Sequence, residues 1–261
     1  MQYKDQLNRT LEFETTPQRI VCLVPSLTEL IIDLGLESQV VGVTKFCIHP
    51  SSLRKRKTVV GGTKQVHFDK IRALNPDVIL CNKEENTKEM FIELEKIAPV
   101  HMSHIRDFKD ALDIIALYGD LFAVEKKASS IIERIQNKYA AFCEFIADEP
   151  QLKVVYFIWK TPWMVAANET FINAMLDLNN FENSFGHLKR YPEIQLEAIN
   201  DTTDVIMLSS EPFPFKEQHI LALEQKYPSI KVLLVNGEYF SWYGSRLEKA
   251  FDYFKTLRQS L

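Results

Sequence analysis

The first half of the chain alternates continuous apolar runs with stretches in which apolar residues recur every three to four positions. Runs such as Arg19–Val24 and Asp77–Cys81 are typical of strands buried on both faces of a parallel sheet. Pro25 ends the first run, and Ser26 with Glu29 three residues later predicts a capping box at a helix start. The predicted series is strand Arg19–Val24, helix Ser26 to Gly35, strand Val40–Val43, helix Phe68–Leu74, strand Asp77–Cys81, helix Thr87–Lys96, strand Pro99–His101 and helix Phe108–Phe122.

The segment Val124–Ala147 contains neither proline nor glycine, and its apolar residues follow a 3.6-residue period with a charged opposite face. A helix of about 24 residues would be ~36 Å long, which is enough to run along one lobe and into another. The alternative from periodicity alone is an ordinary long surface helix within one domain.

The second half repeats the strand and helix rhythm of the first. Ile71–Leu80 (IRALNPDVIL) and Ile199–Leu208 (INDTTDVIML) are similar stretches in the two halves. The predicted elements are strand Val154–Trp159, a pairing segment Met164–Ala167, helix Thr170–Leu178, short helix Ile194–Ile199, strand Asp204–Leu208, helix Lys216–Gln225, strand Lys231–Val235 and helix Ser245–Leu257. The order favours an α/β protein with mostly parallel sheets. We therefore predict two Rossmann-like lobes, residues 1–123 and 149–261, joined by a single backbone helix at residues 124–148.

Composition fits this picture and narrows the classes of function. The 261 residues are 46% hydrophobic and 25% charged, as in ordinary globular proteins, and the net charge of −4 gives no reason to expect nucleic acid. No stretch approaches the ~18 apolar residues of a membrane span, so the chain is not expected to cross one. The four scattered cysteines form no CxxC pair and are expected to be buried thiols, and no resident cofactor is indicated.

The sequence contains no motif that specifies a reaction. It lacks a P-loop, GxGxxG and GxSxG. His101 and His104 have metal-ligand spacing only on a helix or turn, and two partly exposed histidines are the competing interpretation. Glu84 and Glu85 follow a buried strand, where α/β folds place ligands, but adjacent loop residues need not face each other. These observations favour binding over catalysis.

Aromatic and glycine residues recur in loops that follow predicted strands. These loops are Lys45–Pro50, Val60–Lys64, Trp159–Trp163, Glu211–Phe215 and Tyr239–Gly244. Strand-end loops ordinarily face water, so repeated Trp, Phe and Tyr there predict an aromatic surface for a large, flat ligand. Closure of the core ends by the same aromatics is the alternative.

Several segments together resemble a known family. Val24–Leu30 (VPSLTEL), Val40–Thr44 (VVGVT), Gly61–Thr63 (GGT) and Ile71–Ile79 (IRALNPDVI) are similar, in this order, to the helical-backbone (class III) periplasmic binding proteins. These receive vitamin B12, ferric siderophores or haem for ABC importers. The resemblance extends from about Pro17 to the C-terminus, and it implies two lobes tied by one long helix, with a ligand in the cleft between them.

The loops look most similar to those of cobalamin-binding members, in which aromatics clasp the corrin ring. The matching positions are Phe46, the turn formed by Gly61, Gly62, Thr63 and Lys64, and Trp242. Their loop position adds further expected ligand contacts, which are Trp163, Phe213, Tyr243 and Arg246.

Other ligands and roles stay open at the level of sequence. Lys45, Lys64, Lys83, Lys160 and Arg246 lie close enough to the loops to serve an anionic ferric siderophore, and His49 or Tyr243 could be an axial ligand for haem. A chelatase-like enzyme of metal-tetrapyrrole handling would use His49, Glu84 and Glu85. A module that binds a protein partner is a third class.

The resemblance implies that delivery to an ABC permease would use an acidic residue on each lobe. The resemblance implies Asp69 for the first lobe, whereas the loop after Trp242 (YGSR) offers no acid. The N-terminal MQYKDQLNRTLEFE has no basic and apolar leader pattern. We therefore expect a periplasmic or cell-envelope protein if a leader has been removed, and a cytoplasmic one otherwise.

Overall fold

The computed structural model describes residues 1–261, which divide into two compact units. The first comprises Met1–Ile105, Lys109–Gln136 and Tyr243–Glu248, and the second Arg106–Phe108, Asn137–Trp242 and Lys249–Leu261.

A five-stranded parallel sheet forms the centre of the first unit, in the order β5-β4-β3-β6-β7. The elements are β1 (Gln2–Lys4), β2 (Thr10–Glu12), β3 (Ile20–Cys22), α1 (Pro25–Asp33), β4 (Val40–Val43), α2 (Leu53–Arg56), β5 (Thr58–Val59), α3 (Phe68–Ala73), β6 (Val78–Asn82), α4 (Lys88–Leu94), β7 (Val100–Ser103), α5 (Phe108–Leu121) and the beginning of α6 (Glu125–Ile146). Strands β1 and β2 form a separate antiparallel hairpin that the sequence pattern does not predict. Val21, Ile79 and Val100 are buried on the sheet, and Ile71 of α3 and Leu94 of α4 pack in the same core.

The second unit has its own sheet, in the order β10-β8-β11-β12. Its elements are the end of α6, β8 (Leu152–Trp159), β9 (Met164–Val165), α7 (Phe171–Leu178), β10 (Phe181–Asn183), β11 (Val205–Ser209), α8 (Glu217–Lys226), β12 (Lys231–Val235), α9 (Gly237–Ser241) and α10 (Leu247–Gln259). The sheet is parallel except for β9, which pairs antiparallel with β8 within the segment that the sequence predicts to pair there. A 3-10 turn at Leu196–Ala198 lies where the sequence predicts a short helix.

The predicted fold class, two α/β lobes with mostly parallel sheets, is confirmed. The long periodic segment is also a helix, since α6 covers 22 of its residues, and the division between the units falls inside α6 after Gln136. The apolar side of α6 is buried through Ala128, Ile131, Ile135 and Phe142, so the stripe in the sequence is a packing surface. None of the helices is long and apolar enough to cross a bilayer.

The predicted capping box at Ser26 is wrong. Helix α1 starts at Pro25 with Val24 as its N-cap, and no side chain caps it. Proline is well suited to the first helical turn because it has no N–H group to leave unsatisfied there. Glu29 instead accepts hydrogen bonds from Arg246, at 2.7 Å from both Nε and Nη2.

Residues 243–248 belong to the first unit, although they follow the second sheet in the sequence. The buried Glu29–Arg246 ion pair fixes this segment on α1. Gly244 lies against Leu30, where an added Cβ would be 3.2 Å from the Leu30 Cβ. The unit boundaries thus differ here from the predicted division at residues 124–148, because a contact between residues 217 positions apart leaves no local signal in the sequence.

The thiols of Cys22, Cys47 and Cys81 are buried in the first unit, and Cys143 is half-buried. Burial raises the pKa of the Cys22 thiol to about 12, so this group is a neutral packing element at physiological pH. None of the four cysteines is in a disulfide.

His101 on β7 gives the first unit a pH-dependent stability. Burial lowers the pKa of its imidazole to about 4, well below the ordinary value of about 6.5. The Tyr118 hydroxyl lies 3.4 Å from Nδ1, and Nε2 has no hydrogen-bond partner. The side chain is therefore neutral in the folded protein, whereas the unfolded chain takes up a proton below pH ~6.5.

The sign of this effect follows from the lowered pKa. The contribution to stability is fully present above pH ~6.5 and is lost as the pH falls towards 4, by about 2 kcal/mol between pH 7 and pH 5. We expect His101→Leu to flatten this part of the stability profile, measured by urea unfolding at pH 7 and pH 5. The exposed His67→Gln is the control, and an unchanged profile in His101→Leu would contradict the assignment.

Candidate functional site

An exposed aromatic side chain and a glycine turn meet at the carboxyl ends of strands β4 and β5 in the first unit. Phe46, in the loop after β4, is 47% exposed, and Lys45 Nζ lies 5.0 Å from the centre of its ring. A Cβ added to Gly62 would be 3.3 Å from Phe46 Cε2, so the ring edge lies beside the glycine backbone. Phe46, Gly62 and Lys45 thus present an apolar ring, a backbone without a side chain and a cation at one edge of the sheet.

The turn itself has a backbone that only glycine accommodates at its first position. Gly61 has a φ of +136°, and a Cβ there would be 2.6 Å from the Gln65 carbonyl oxygen. The Gly62 N–H donates to the same oxygen at 2.7 Å, and the Lys45 N–H donates to the Gly61 oxygen at 2.8 Å. These bonds close the turn and tie it to the loop that carries Phe46.

The loop after β6 holds the same turn from its other side. Lys64 Nζ donates to the Glu84 carbonyl oxygen at 2.6 Å, and Asn86 Nδ2 donates to the Thr63 carbonyl oxygen at 2.9 Å. The structure therefore brings together the predicted residues Phe46, Gly61, Gly62, Thr63 and Lys64. Sequence reasoning missed Asn86, although polar residues after a buried strand of a parallel sheet are the signal that could have found it.

In the second unit, aromatic side chains cluster after β8 and β11. The ring centres of Trp163 and Phe215 are 6.0 Å apart in a stacked arrangement, and those of Phe213 and Phe215 are 4.7 Å apart. Trp159, 38% exposed, contacts Phe213 edge to face with 5.5 Å between ring centres. Lys160 Nζ lies 5.5 Å from the centre of the Trp163 ring. The predicted residues Trp163 and Phe213 are thus together and half-buried, and Trp159 is the more accessible ring.

The remaining predicted contacts are largely covered by the protein itself. Trp242 is 7% exposed, and its Nε1 donates to Glu211 Oε1 at 2.8 Å, where the Ser241 hydroxyl also donates. Tyr243 and Arg246 are buried in the first unit, and Arg246 is engaged by Glu29. Of the loops predicted to carry ligand contacts, those with Phe46 and Trp159 therefore offer the accessible rings.

Asp69 lies in the first turn of α3, and its side chain is 99% exposed. Its Oδ1 accepts a hydrogen bond from Arg72 Nη1 at 2.8 Å. A surface ion pair of this kind contributes little to stability, so the carboxylate is available for exchange with another cation.

The structure contains no group of three or more His, Cys, Asp and Glu side chains that could hold a metal ion. His101 is buried against Tyr118 in the core, where the ring centres are 5.1 Å apart. The alternative prediction of two partly exposed histidines is wrong for His101, whose side chain is fully buried.

The chain belongs to a family described as "Periplasmic binding protein", since the model of that family matches residues 20–226. This confirms the family predicted from the sequence motifs.

Among curated relatives, an uncharacterized ABC transporter substrate-binding lipoprotein of Bacillus subtilis is 26% identical over 75% of this chain and 64% of its own length. A cobalamin-binding protein of Halobacterium salinarum is 22% identical over 78% of this chain and 57% of its own length. A vitamin B12-binding protein of Pectobacterium atrosepticum is 23% identical over 88% of this chain and 85% of its own length. The chain therefore spans less than two thirds of the length of the first two.

Solved structures show the same fold at low sequence identity. The periplasmic vitamin B12 binding protein of Vibrio cholerae is 18% identical, with a TM-score of 0.77 over 94% of this chain and 99% of its own. A periplasmic haem binding protein from Pseudomonas aeruginosa is 21% identical, with a TM-score of 0.80 over 92% of each chain. Proteins that are named for different metal chelates thus share this architecture.

Proposed function

We propose that the protein is the substrate-binding component of an ABC-type importer for a large metal chelate, and that the chelate is cobalamin. In this role the chain binds its ligand without chemical change and acts in the periplasm or at the cell envelope. The motif resemblance and the names of the relatives support this assignment. The cytoplasmic and chelatase-like alternatives have no comparable support.

The observation that carries the proposal is the exposed Phe46 ring beside the backbone of Gly62. A corrin is broad and partly apolar, so an aromatic face next to a turn without side chains suits its edge. The exposed Trp159, in contact with Phe213, offers a second aromatic surface in the other unit. Trp163 belongs to this second aromatic cluster, whereas Trp242, Tyr243 and Arg246 are largely covered by the protein and stay ligand contacts proposed from the sequence.

Haem or a ferric siderophore is the second candidate, because cations accompany both accessible aromatic surfaces. Lys45 lies over Phe46 in the first unit, and Lys160 lies over Trp163 in the second. Ammonium groups at these positions would pair with the carboxylates of an anionic chelate. A panel of cobalamin, haemin and a ferric siderophore separates the candidates by affinity.

Removal of the Phe46 ring should weaken ligand binding. We expect Phe46→Ala to raise the dissociation constant for cyanocobalamin about tenfold, since loss of one desolvated aromatic contact costs on the order of 1–2 kcal/mol. Isothermal titration calorimetry on the purified chain measures this directly.

The matched control is Ile92→Ala, because Ile92 is 48% exposed in the same unit and lies on α4. The control should bind as the wild type does. Equal affinities of Phe46→Ala and wild type would remove Phe46 from the site.

We further propose that Asp69 contributes to docking on the importer's permease. Its carboxylate is exposed and bound only by a surface arginine on the same helix, so a cationic partner could replace that contact. The loop after Trp242 (YGSR), which the motif resemblance gives as the second docking loop, has no acid.

A further inference from the structure

Asn86 lies between the predicted ligand-binding turn and the end of a buried strand, and it bonds to both. Its Oδ1 accepts from the Asn82 N–H at 2.9 Å, and its Nδ2 donates to the Thr63 carbonyl oxygen at 2.9 Å. The side chain therefore uses its acceptor on the sheet and its donor on the turn. Only an amide of this length offers both groups in one planar unit.

The strand end to which Asn86 bonds is itself firmly held. Asn82 Nδ2 donates to Ser103 Oγ at 2.9 Å, and the Ser103 hydroxyl donates to the Cys81 carbonyl oxygen at 3.0 Å. Asn82 Oδ1 accepts from the Glu84 N–H at 2.8 Å, which shapes the loop after β6. Asn82 and Ser103 are fully buried, so this is a satisfied polar network in the core.

The turn, in contrast, is half-exposed, and its first flank is tied to the sheet by the Val60 N–H, which donates to the Val43 carbonyl oxygen of β4 at 2.9 Å. Its own closing bond joins Gly62 to Gln65, and the Lys45 bond to Gly61 comes from another loop. The Lys64 side chain reaches the Glu84 carbonyl oxygen, but both groups belong to loops. Asn86 is therefore the side chain that joins the Thr63 end of the turn to the end of β6, in addition to the Val60 backbone bond to β4.

We propose that Asn86 is the positioning residue of the ligand-binding turn: it holds residues 61–64 in the conformation that receives the ligand. The ligand role of the turn rests on the function proposed above. The bridge that Asn86 forms between the Asn82 N–H and the Thr63 carbonyl oxygen, here called the Asn86 bracket, does not depend on that function. Without the bracket the turn samples conformations that do not bind, and the affinity falls in proportion to the competent fraction.

Two substitutions test the two hydrogen bonds of the Asn86 side chain. Asn86→Asp keeps an acceptor for the Asn82 N–H but loses the donor to the Thr63 oxygen, whereas Asn86→Ala loses both groups. Asn137→Ala, on an exposed position of α6, is the matched control for loss of an asparagine side chain. Thermal unfolding first establishes which variants are folded. If Asn86→Ala does not fold, the nearly isosteric Asn86→Asp variant still tests the proposal.

The readouts are amide hydrogen exchange and calorimetric titration with cyanocobalamin. We expect the Gly62 and Lys45 amides to exchange at least tenfold faster in both Asn86 variants, while the Val21 and Ile79 amides of the sheet exchange at the wild-type rate. The dissociation constant for cyanocobalamin should rise at least fivefold in both Asn86 variants and stay unchanged in Asn137→Ala.

Wild-type exchange rates at Gly62 and Lys45 in both Asn86 variants would overturn the proposal, and so would wild-type affinity in both. If the wild-type chain binds no cobalamin, haemin or ferric siderophore, the proposed function fails. The exchange rates of the Gly62 and Lys45 amides then test by themselves whether Asn86 holds the turn. Faster exchange would then support it, and unchanged exchange would refute it.

Discussion

Replacing Arg246 with methionine should lower the free energy of unfolding by about 3–5 kcal/mol, because it leaves the Glu29 carboxylate buried without its charge partner. Both side chains are less than 10% exposed, and two hydrogen bonds of 2.7 Å join them. The pair also fixes residues 243–248 on α1, so its loss should release that segment. Urea unfolding monitored by circular dichroism measures the change.

The double variant Glu29→Leu with Arg246→Met distinguishes an unpaired buried charge from loss of packing. Replacement of both partners by apolar side chains should restore most of the lost stability, since no charge is then buried. The exposed pair Asp69–Arg72 is the comparison, and Arg72→Met should change stability by less than about 1 kcal/mol. A destabilisation below 1 kcal/mol in Arg246→Met would show that the pair is not buried as described.

The second large effect is expected for Gly61→Ala, which should cost about 1–3 kcal/mol. Alanine is strained at the φ of +136°, and its Cβ would be 2.6 Å from the Gln65 carbonyl oxygen. The backbone of the turn must therefore shift. Chemical denaturation of the purified variant gives the stability change.

Gly62→Ala provides the contrast one residue away. Gly62 has no positive φ, and its added Cβ would meet the edge of the Phe46 ring at 3.3 Å, which can move aside. We expect a stability loss well below that of Gly61→Ala. Equal losses in the two variants would mean that the conformation of Gly61 is not the cause.

Much of the fold could be predicted because local patterns determine it. The apolar runs of β3, β6, β8, β11 and β12 identify buried parallel strands, and the periodic stripe of α6 identifies its helix. The short strands β1, β5 and β10 have two or three residues each, too few for a periodic pattern. The hairpin of β1 and β2 was missed for the same reason.

The errors at α1 and at residues 243–248 have one physical cause. Ser26 and Glu29 have the spacing of a capping box, but Glu29 is engaged by Arg246, which is distant in the sequence. A local sequence motif carries no information about a tertiary contact with a residue that is distant in the sequence. The assignment of residues 243–248 to the first unit depends on that same contact.

The candidate site was predictable to the level of its loops. Strand-end position and the motif resemblance indicated Phe46 and the glycine turn, and the structure brings these together. Exposure was not predictable, because Trp242 and Arg246 are covered through contacts with Glu211 and Glu29. Asn86 was missed because its importance depends on two hydrogen bonds that only the folded chain makes.

Ligand binding is measured most directly by calorimetric titration of the purified wild-type chain with cyanocobalamin, haemin and a ferric siderophore under one buffer condition. We expect saturable binding of one ligand molecule per chain with a dissociation constant of about 1 μM or lower, which is a free energy of about −8 kcal/mol. Cobalamin should be the tightest of the three. Absence of saturable binding of all three ligands would refute the proposed role as a binding protein for a metal chelate.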